Sequence, residues 1–263
     1  VWDINRASKL IESLILGLPI PQIFLYEQSK NNFLVIDGQQ RLMSIYYFLK
    51  MRFPLMDRRN DLRLIFDQEG KIPAKVFSDD EYFAKFNLRL PSKLPKEKNK
   101  LHGLNYETLG DVQTTLDLRT IRCVFVKQNF PKNDDSVFEI FNRLNTGGVN
   151  LTPQEIRVSL YHSKFMKMIS RFNVDKRWRE LINQERPDLQ MRDVEVILRG
   201  FAMLIDGDKY APSMTRFLNK FAKDMKEISD SELLKLVTAA YKKVAKGGAL
   251  NTDAGWILSL IHI

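Results

Sequence analysis

The sequence predicts an α+β fold, with an α/β half over residues 1–130 followed by an all-helical region over residues 131–263. Three observations predict it. Up to about residue 126, short apolar or β-branched runs alternate with segments of helical spacing. From residue 134 onward, the chain reads as continuous helix. Finally, turn and cap signals punctuate the chain at regular places, with no internal repeat and no low-complexity tract.

The elements follow in order. Asp3 starts a helix whose apolar stripe is Leu10, Ile11, Leu14 and Ile15, and Gly17 with Pro19 ends it. Residues 22–27 form a strand, and Gln28-Ser29-Lys30-Asn31 turns the chain into a short buried strand at 32–36. Leu42, Ile45, Tyr46 and Leu49 then give a helix over 39–50. Residues 62–66, a turn at 67–70 and residues 75–77 suggest a second hairpin. After a polar, lysine-rich excursion, residues 120–126 read as the last strand, with Cys123 a small buried residue in it. Asp134 or Asp135 caps the next helix, which carries Val137, Phe138, Ile140, Phe141 and Leu144. Helices are expected at 153–172, 175–184, 192–206, 213–227 and 230–246. Their packing faces are assigned to Phe201, Met203, Leu204, Phe217, Phe221, Met225 and Leu236.

Composition narrows the class. A chain of 263 residues, 44% apolar and 28% charged, buries a substantial core. No run approaches the roughly 20 apolar residues that span a bilayer, so the expectation is no membrane contact and a cytoplasmic protein. One cysteine excludes an internal disulfide. The charge of +9 is spread over both halves, with 20 Lys/Arg against 15 Asp/Glu in residues 1–130. Such a field suits a phosphate-rich partner and also suits plain solubility. The densest patch holds Lys85, Arg89, Lys93, Lys96, Lys98 and Lys100; a nucleic-acid contact and a solvated loop both fit it.

Two stretches carry chemistry. In Asp37-Gly38-Gln39-Gln40-Arg41 a strand becomes a helix, whose first-turn N–H groups lack internal partners and carry partial positive charge. Glycine there admits a ligand close to the backbone, and Arg41 adds a planar, permanently charged fork. These are the parts of an anion site, most simply for phosphate; a strand-terminating Asp-Gly turn is the plainer reading. The second stretch, from Phe141 through Asn142, Arg143, Asn145, Thr146, Gly147 and Gly148, leads into Thr152-Pro153-Gln154-Glu155. That tetrapeptide is a capping box with proline at the first helical position, so the double glycine lies in a loop between two helices. The polar residues before it supply donors and acceptors for a ligand, or simply stop one helix and start another.

Together the two stretches resemble the N-terminal domain of GmrSD-type restriction endonucleases, also catalogued as domain of unknown function family 262. Val1-Trp2-Asp3 and the segment from Leu10 to Pro21 are similar to that family's opening motif, and the resemblance covers about residues 1–160. The family has an aromatic-Gln-Arg segment before this point, which implies that the chain is a fragment of a longer protein. The resemblance implies a ParB/sulfiredoxin-like fold in which the strand-to-helix turn holds nucleotide phosphates. It further implies nucleoside triphosphate binding and hydrolysis, with Mg2+, coupled to attack on modified or foreign DNA. On that basis Arg41 would neutralise a phosphate, and Gln39 or Gln40 would bond phosphate or orient water. Asp37 would hold the metal or polarise the water. Gly38, Asn142, Arg143, Asn145, Thr146 and Gly147 would complete the nucleotide site.

Absences shape the rest. His102, His162 and His262 stand apart from ligand-spaced neighbours, and there is no zinc cluster and no GxxxxGK[ST] loop. Asp193 and Glu195, two apart on a helix, point in different directions and make a poor metal pair. DNA cleavage by this chain alone is therefore not expected, and the resemblance implies a separate His-Asn-His domain or partner chain for it. A DNA-binding sensor without hydrolysis and an interaction scaffold with a structural turn are the competing readings.

Overall fold

The computed structural model describes residues 2–91, 99–128, 135–144 and 151–246. It is a mixed α+β structure with a helical C-terminal region. The chain forms two compact units, one of residues 1–59 and 73–150, the other of 60–72 and 151–263.

In the first unit, α1 (Ile4–Leu16) is fixed at both ends by its sequence. The Asp3 carboxylate accepts from Arg6 N, and Gly17, at φ 72°, donates to Leu14 O from a left-handed conformation. Strand β1 (Ile23–Ser29) turns through Lys30 and Asn31 into antiparallel β2 (Asn32–Asp37), which sets Phe24 opposite Asp37. Strand β5 (Cys123–Val126) lies parallel to β1 on its other side, giving the order β2-β1-β5. Helix α2 (Gln39–Leu49) follows β2 directly, and a small antiparallel pair joins β3 (Arg52–Pro54) to β4 (Phe83–Lys85). The short helices α4 (Ala74–Phe77) and α5 (Val112–Asp117) and helix α6 (Asp135–Leu144) complete the unit.

The core of this unit brings α1 together with Phe48 of α2 and the chain after β4. Ile11, Phe48, Phe86 and Leu88 are all at most 1% exposed. Phe86 meets the rings of Phe48 and Phe53 edge-on at centroid distances of 5.3 and 4.9 Å. Each such buried side chain contributes roughly 1.5–3 kcal/mol. This packing holds α1 against α2 and so fixes the turn at Asp37 from the helix side.

The second unit is built from α3 (Arg59–Glu69), α7 (Pro153–Leu160), α8 (Lys164–Asn173), α9 (Lys176–Leu181), α10 (Arg192–Asp206), α11 (Met214–Asp224) and α12 (Asp230–Lys246). Helix α10 is its axis, with Leu198 and Ala202 fully buried and α7, α8, α11 and α12 packed around it. Phe165 meets Phe201 and Phe221 edge-on.

Several expectations are corrected. The hairpin expected over 62–77 is instead the pair of helices α3 and α4. Asp61 in the first turn, an Arg63–Asp67 ion pair one turn apart at 2.7 Å, and Gly70 at φ 72° after the last turn favour the helix. The strand over 32–36 is mostly open, with Phe33 43% exposed and Ile36 its one buried residue. Cys123 is exposed, because β5 lies at an edge of the sheet. The helix expected over 153–172 is divided, since Ser163 caps α8 by accepting from Met166 N. Met203 lies on the outer side of α10, 44% exposed. Helix α6 packs on β2 and belongs to the first unit, and residues 60–72 belong to the second.

Candidate functional site

The turn after β2 is shaped by Gly38. Its φ of 99° is one that side-chain-bearing residues avoid, and an added Cβ would lie 2.9 Å from Ile23 Cγ1 and 3.2 Å from Arg41 Nη2. Glycine is thus required for conformation and for space. Gly38 is also the N-cap of α2, and no side chain caps this helix. The first-turn amides of α2 therefore keep their positive end free of a capping oxygen.

Arg41 lies one turn into α2 and folds back over the turn. Its Nη2 donates to Asp37 Oδ2 at 2.7 Å and to the Gln22 carbonyl at 3.1 Å. The side chain is 12% exposed, against 31% for Asp37, and its buried Nε–H has no acceptor. An unpaired buried donor costs about 1–3 kcal/mol, so the fork is held but not saturated. Gln40 is committed elsewhere, its Oε1 accepting from Trp2 N at 3.1 Å, while Gln39 is exposed. Trp2 in turn accepts from Arg59 through its carbonyl at 2.6 Å and lies under Arg6, whose guanidinium carbon is 5.0 Å from the ring.

An open cavity of about 930 Å3 adjoins Asp37, where β2 ends and β1 and β5 begin. Gln22, Phe24, Asp37, Arg119, Thr120 and Arg122 line it together with the loop that follows α1. Arg119 is spent on structure: its Nε and Nη2 bond the carbonyls of Leu14 and Ile15 at 2.8 and 3.4 Å, where a cation complements the helix C-terminus. Arg122 is exposed and forms no side-chain bond among the described residues. Arg119 and Arg122 escape notice in the sequence, since only the parallel pairing of β5 with β1 carries them to the Asp37 turn. The signal available is two arginines immediately before a β-branched run.

Of the second stretch, Phe141 is fully buried, on the helix that packs on β2. Arg143 is 79% exposed and pairs with Glu139 at 2.8 Å, one turn back on α6. Asn145, Thr146 and Gly147, and the side chain of Asn142, lie outside the described residues. The capping box stands as expected: Thr152 Oγ1 accepts from Glu155 N, and Glu155 Oε2 accepts from Thr152 N.

A model of the family described as the GmrSD restriction endonuclease N-terminal domain matches residues 1–162. The chain belongs to that family. Membership places it with the domains of a restriction system. No curated protein matches, and neither does any solved structure. The GmrSD match spans both unusual stretches and ends just after α7.

For metal, the described residues contain no group of three or more His, Cys, Asp and Glu side chains able to hold an ion. Asp37 is a single carboxylate, already paired with Arg41. Magnesium keeps several waters and takes one or two carboxylates plus phosphate oxygens, so Asp37 fits it only alongside a bound polyphosphate. Asp193 and Glu195 diverge as expected, one pairing with Arg179, the other with Arg157 and Arg199. Among the described residues no helix is long and apolar enough to cross a membrane.

Proposed function

We propose that this chain is the nucleotide-binding, NTP-hydrolysing regulatory part of a GmrSD-like restriction system acting on modified DNA. The observation that carries this reading is the uncapped N-terminus of α2, with Gly38 at its mouth and the Arg41 fork folded over it beside an open cavity. A polyphosphate placed there meets free backbone dipoles and a guanidinium held short of saturation. A β-strand running through a glycine turn into such a helix start is in keeping with a ParB/sulfiredoxin-like arrangement.

Binding has a defined first event. A phosphate carries more charge than the Asp37 carboxylate and draws Arg41 off it, because one guanidinium serves both. Asp37 is then free to orient a water toward the terminal phosphorus, with exposed Gln39 as a second polar group on that water. Magnesium arriving with the nucleotide would neutralise phosphate oxygens, and Asp37 is the carboxylate that would hold it. Strand cleavage of DNA would fall to a His-Asn-His domain or partner chain, in keeping with three histidines, His102, His162 and His262, that lie far apart in the sequence.

The test is turnover of GTP, ATP and CTP with magnesium by the chain and its Arg41→Ala form, alongside thermal shift with each nucleotide. Loss of turnover and of the nucleotide-induced shift in Arg41→Ala is expected. Equal rates in the two proteins would remove hydrolysis from the proposal. DNA binding that is steeply salt-dependent and indifferent to Arg41, without any nucleotide shift, would favour the DNA-sensor reading instead.

A further inference from the structure

The helical unit holds a second, open cavity of about 480 Å3, lined by residues of α7, α10 and α11 with Thr152 and Gln190. First-turn residues of all three helices face it: Pro153 and Gln154 of α7, Arg192 and Glu195 of α10, Met214 and Thr215 of α11. Each helix brings the positive end of its dipole, and α10 starts without a side-chain cap. The lining charges are Arg157, Arg192 and Arg199 against Glu195. Three guanidiniums against one carboxylate leave two positive charges in the lining, one of them, on Arg192, facing Asp188 at 3.9 Å.

An independent observation comes from Gln154. The residue is 1% exposed and lines the cavity, and its Oε1 accepts from Arg157 Nη1 at 2.7 Å. That bond fixes the orientation of the amide, so its Nε2 must act as a donor. Nε2 is buried and has no acceptor. Beside it, Arg157 is equally buried, with Nε on Asn219 at 2.8 Å and Nη1 on Glu195 at 2.9 Å. A donor left open among cations is satisfied by an anionic acceptor. The lining also includes the apolar side chains of Pro153, Val196, Met214 and Leu218, which make an apolar wall.

We infer that this cavity is a binding site for an organic phosphate monoester. The dianion matches the two surplus charges, Gln154 Nε2 donates to a phosphate oxygen, and the organic group lies against the apolar wall. Arg199, 52% exposed and bonded to Glu195, and Arg192, 75% exposed, stand at the rim and draw the phosphate in. The site lies in the helical unit, with lining residues separate from those of the Asp37 turn, and does not depend on what that turn does.

The experiment titrates the full chain with a nucleoside 5′-monophosphate, with inorganic phosphate and with a 5′-phosphorylated single-stranded oligonucleotide, by calorimetry at low salt. Saturable binding of the monophosphate or of the oligonucleotide end is expected, and whichever binds names the source of the phosphate. Gln154→Glu, which keeps the shape but adds a negative charge, should weaken binding at least tenfold. Arg192→Ala/Arg199→Ala, made at exposed positions, should weaken it several-fold, and every titration is repeated in the Arg41→Ala background, so that nucleotide held at the Asp37 turn does not contribute. Absence of saturable binding to either organic phosphate, or binding indifferent to both cavity variants, would overturn the inference. So would inorganic phosphate binding as tightly as the monoesters, because the apolar wall would then have no role.

Discussion

Replacing Asp193 with alanine should be among the most damaging single changes in the helical unit. Asp193 Oδ2 accepts from Arg179 Nη1 and Nη2, both at 2.9 Å, from Asn173 Nδ2 at 3.0 Å and from Asp188 N at 2.9 Å. Its Oδ1 accepts from Val194 N at 2.8 Å in the first turn of α10. The side chains of Arg179 and Asp193 are 6% and 2% exposed. Alanine therefore strands a buried guanidinium, whose Nε already lacks a partner. Breaking a buried pair from one side costs about 3–5 kcal/mol. At about 2–4 °C per kcal/mol for a chain of this size, the melting temperature should fall by roughly 6–20 °C. Urea unfolding followed by tryptophan fluorescence reads it locally, because Trp178 Nε1 donates to Asn173 Oδ1 in the same network. The double change Arg179→Met with Asp193→Leu should be far milder than Asp193→Ala, since it removes the charge as well as its partner. A loss below about 1 kcal/mol for Asp193→Ala would refute the reasoning, and so would a double variant no better than the single one.

Gly38→Ala should cost about 1–3 kcal/mol in denaturant unfolding, from its positive φ and the contact with Ile23, and should abolish any nucleotide-induced thermal shift. Thr152→Ala removes the acceptor for Glu155 N and the donor to Gln190 O, and should cost about 1 kcal/mol by the same measurement. Two carboxylates should give opposite slopes in stability at acid pH. Burial raises the Asp67 pKa, with Arg63 opposing, so its folded form holds the proton longer. Stability should then fall as pH rises from the ordinary carboxylate value through the raised one, and Asp67→Asn should remove that slope. Burial also opposes ionisation of Glu195, but the hydrogen bonds and charge of Arg157 and Arg199 outweigh it and lower its pKa. Its contribution is present above the ordinary value and is lost as pH falls through the lowered one, so Glu195→Gln should flatten that limb.

Local chemistry was legible in the sequence, and non-local geometry was not. Asp3 with Gly17, the capping box at Thr152 and the start of α12 were readable because each depends on residues within a turn or so of the helix end they fix. The stretch from Leu62 to Phe66 misled because a short apolar run has no decisive period; the ion pair from Arg63 to Asp67 and Gly70 decide it. At the candidate site, the glycine turn and the free helix start were foreseeable. The pairing of Arg41 with Asp37 sits at helical spacing and was available, yet a reading that gave each residue a separate ligand missed it. Gln40 could not be foreseen on Trp2, nor Arg122 at the cavity, because both depend on chain brought from far along the sequence.

The division of the chain has a consequence for its synthesis. The helical unit begins with α3, is interrupted by the chain from Pro73 to Asn150, and resumes at Leu151. On a ribosome α3 emerges well before the helices of its own unit, with Leu62, its buried apolar residue, waiting for partners on the order of ten seconds. The GmrSD match stops at residue 162, inside this unit, so an evolutionary boundary drawn there is not a folding boundary. A chain truncated at that point would hold α3 and α7 without α8 to α12 of their unit, and the apolar faces left bare would be targets for chaperones and proteases.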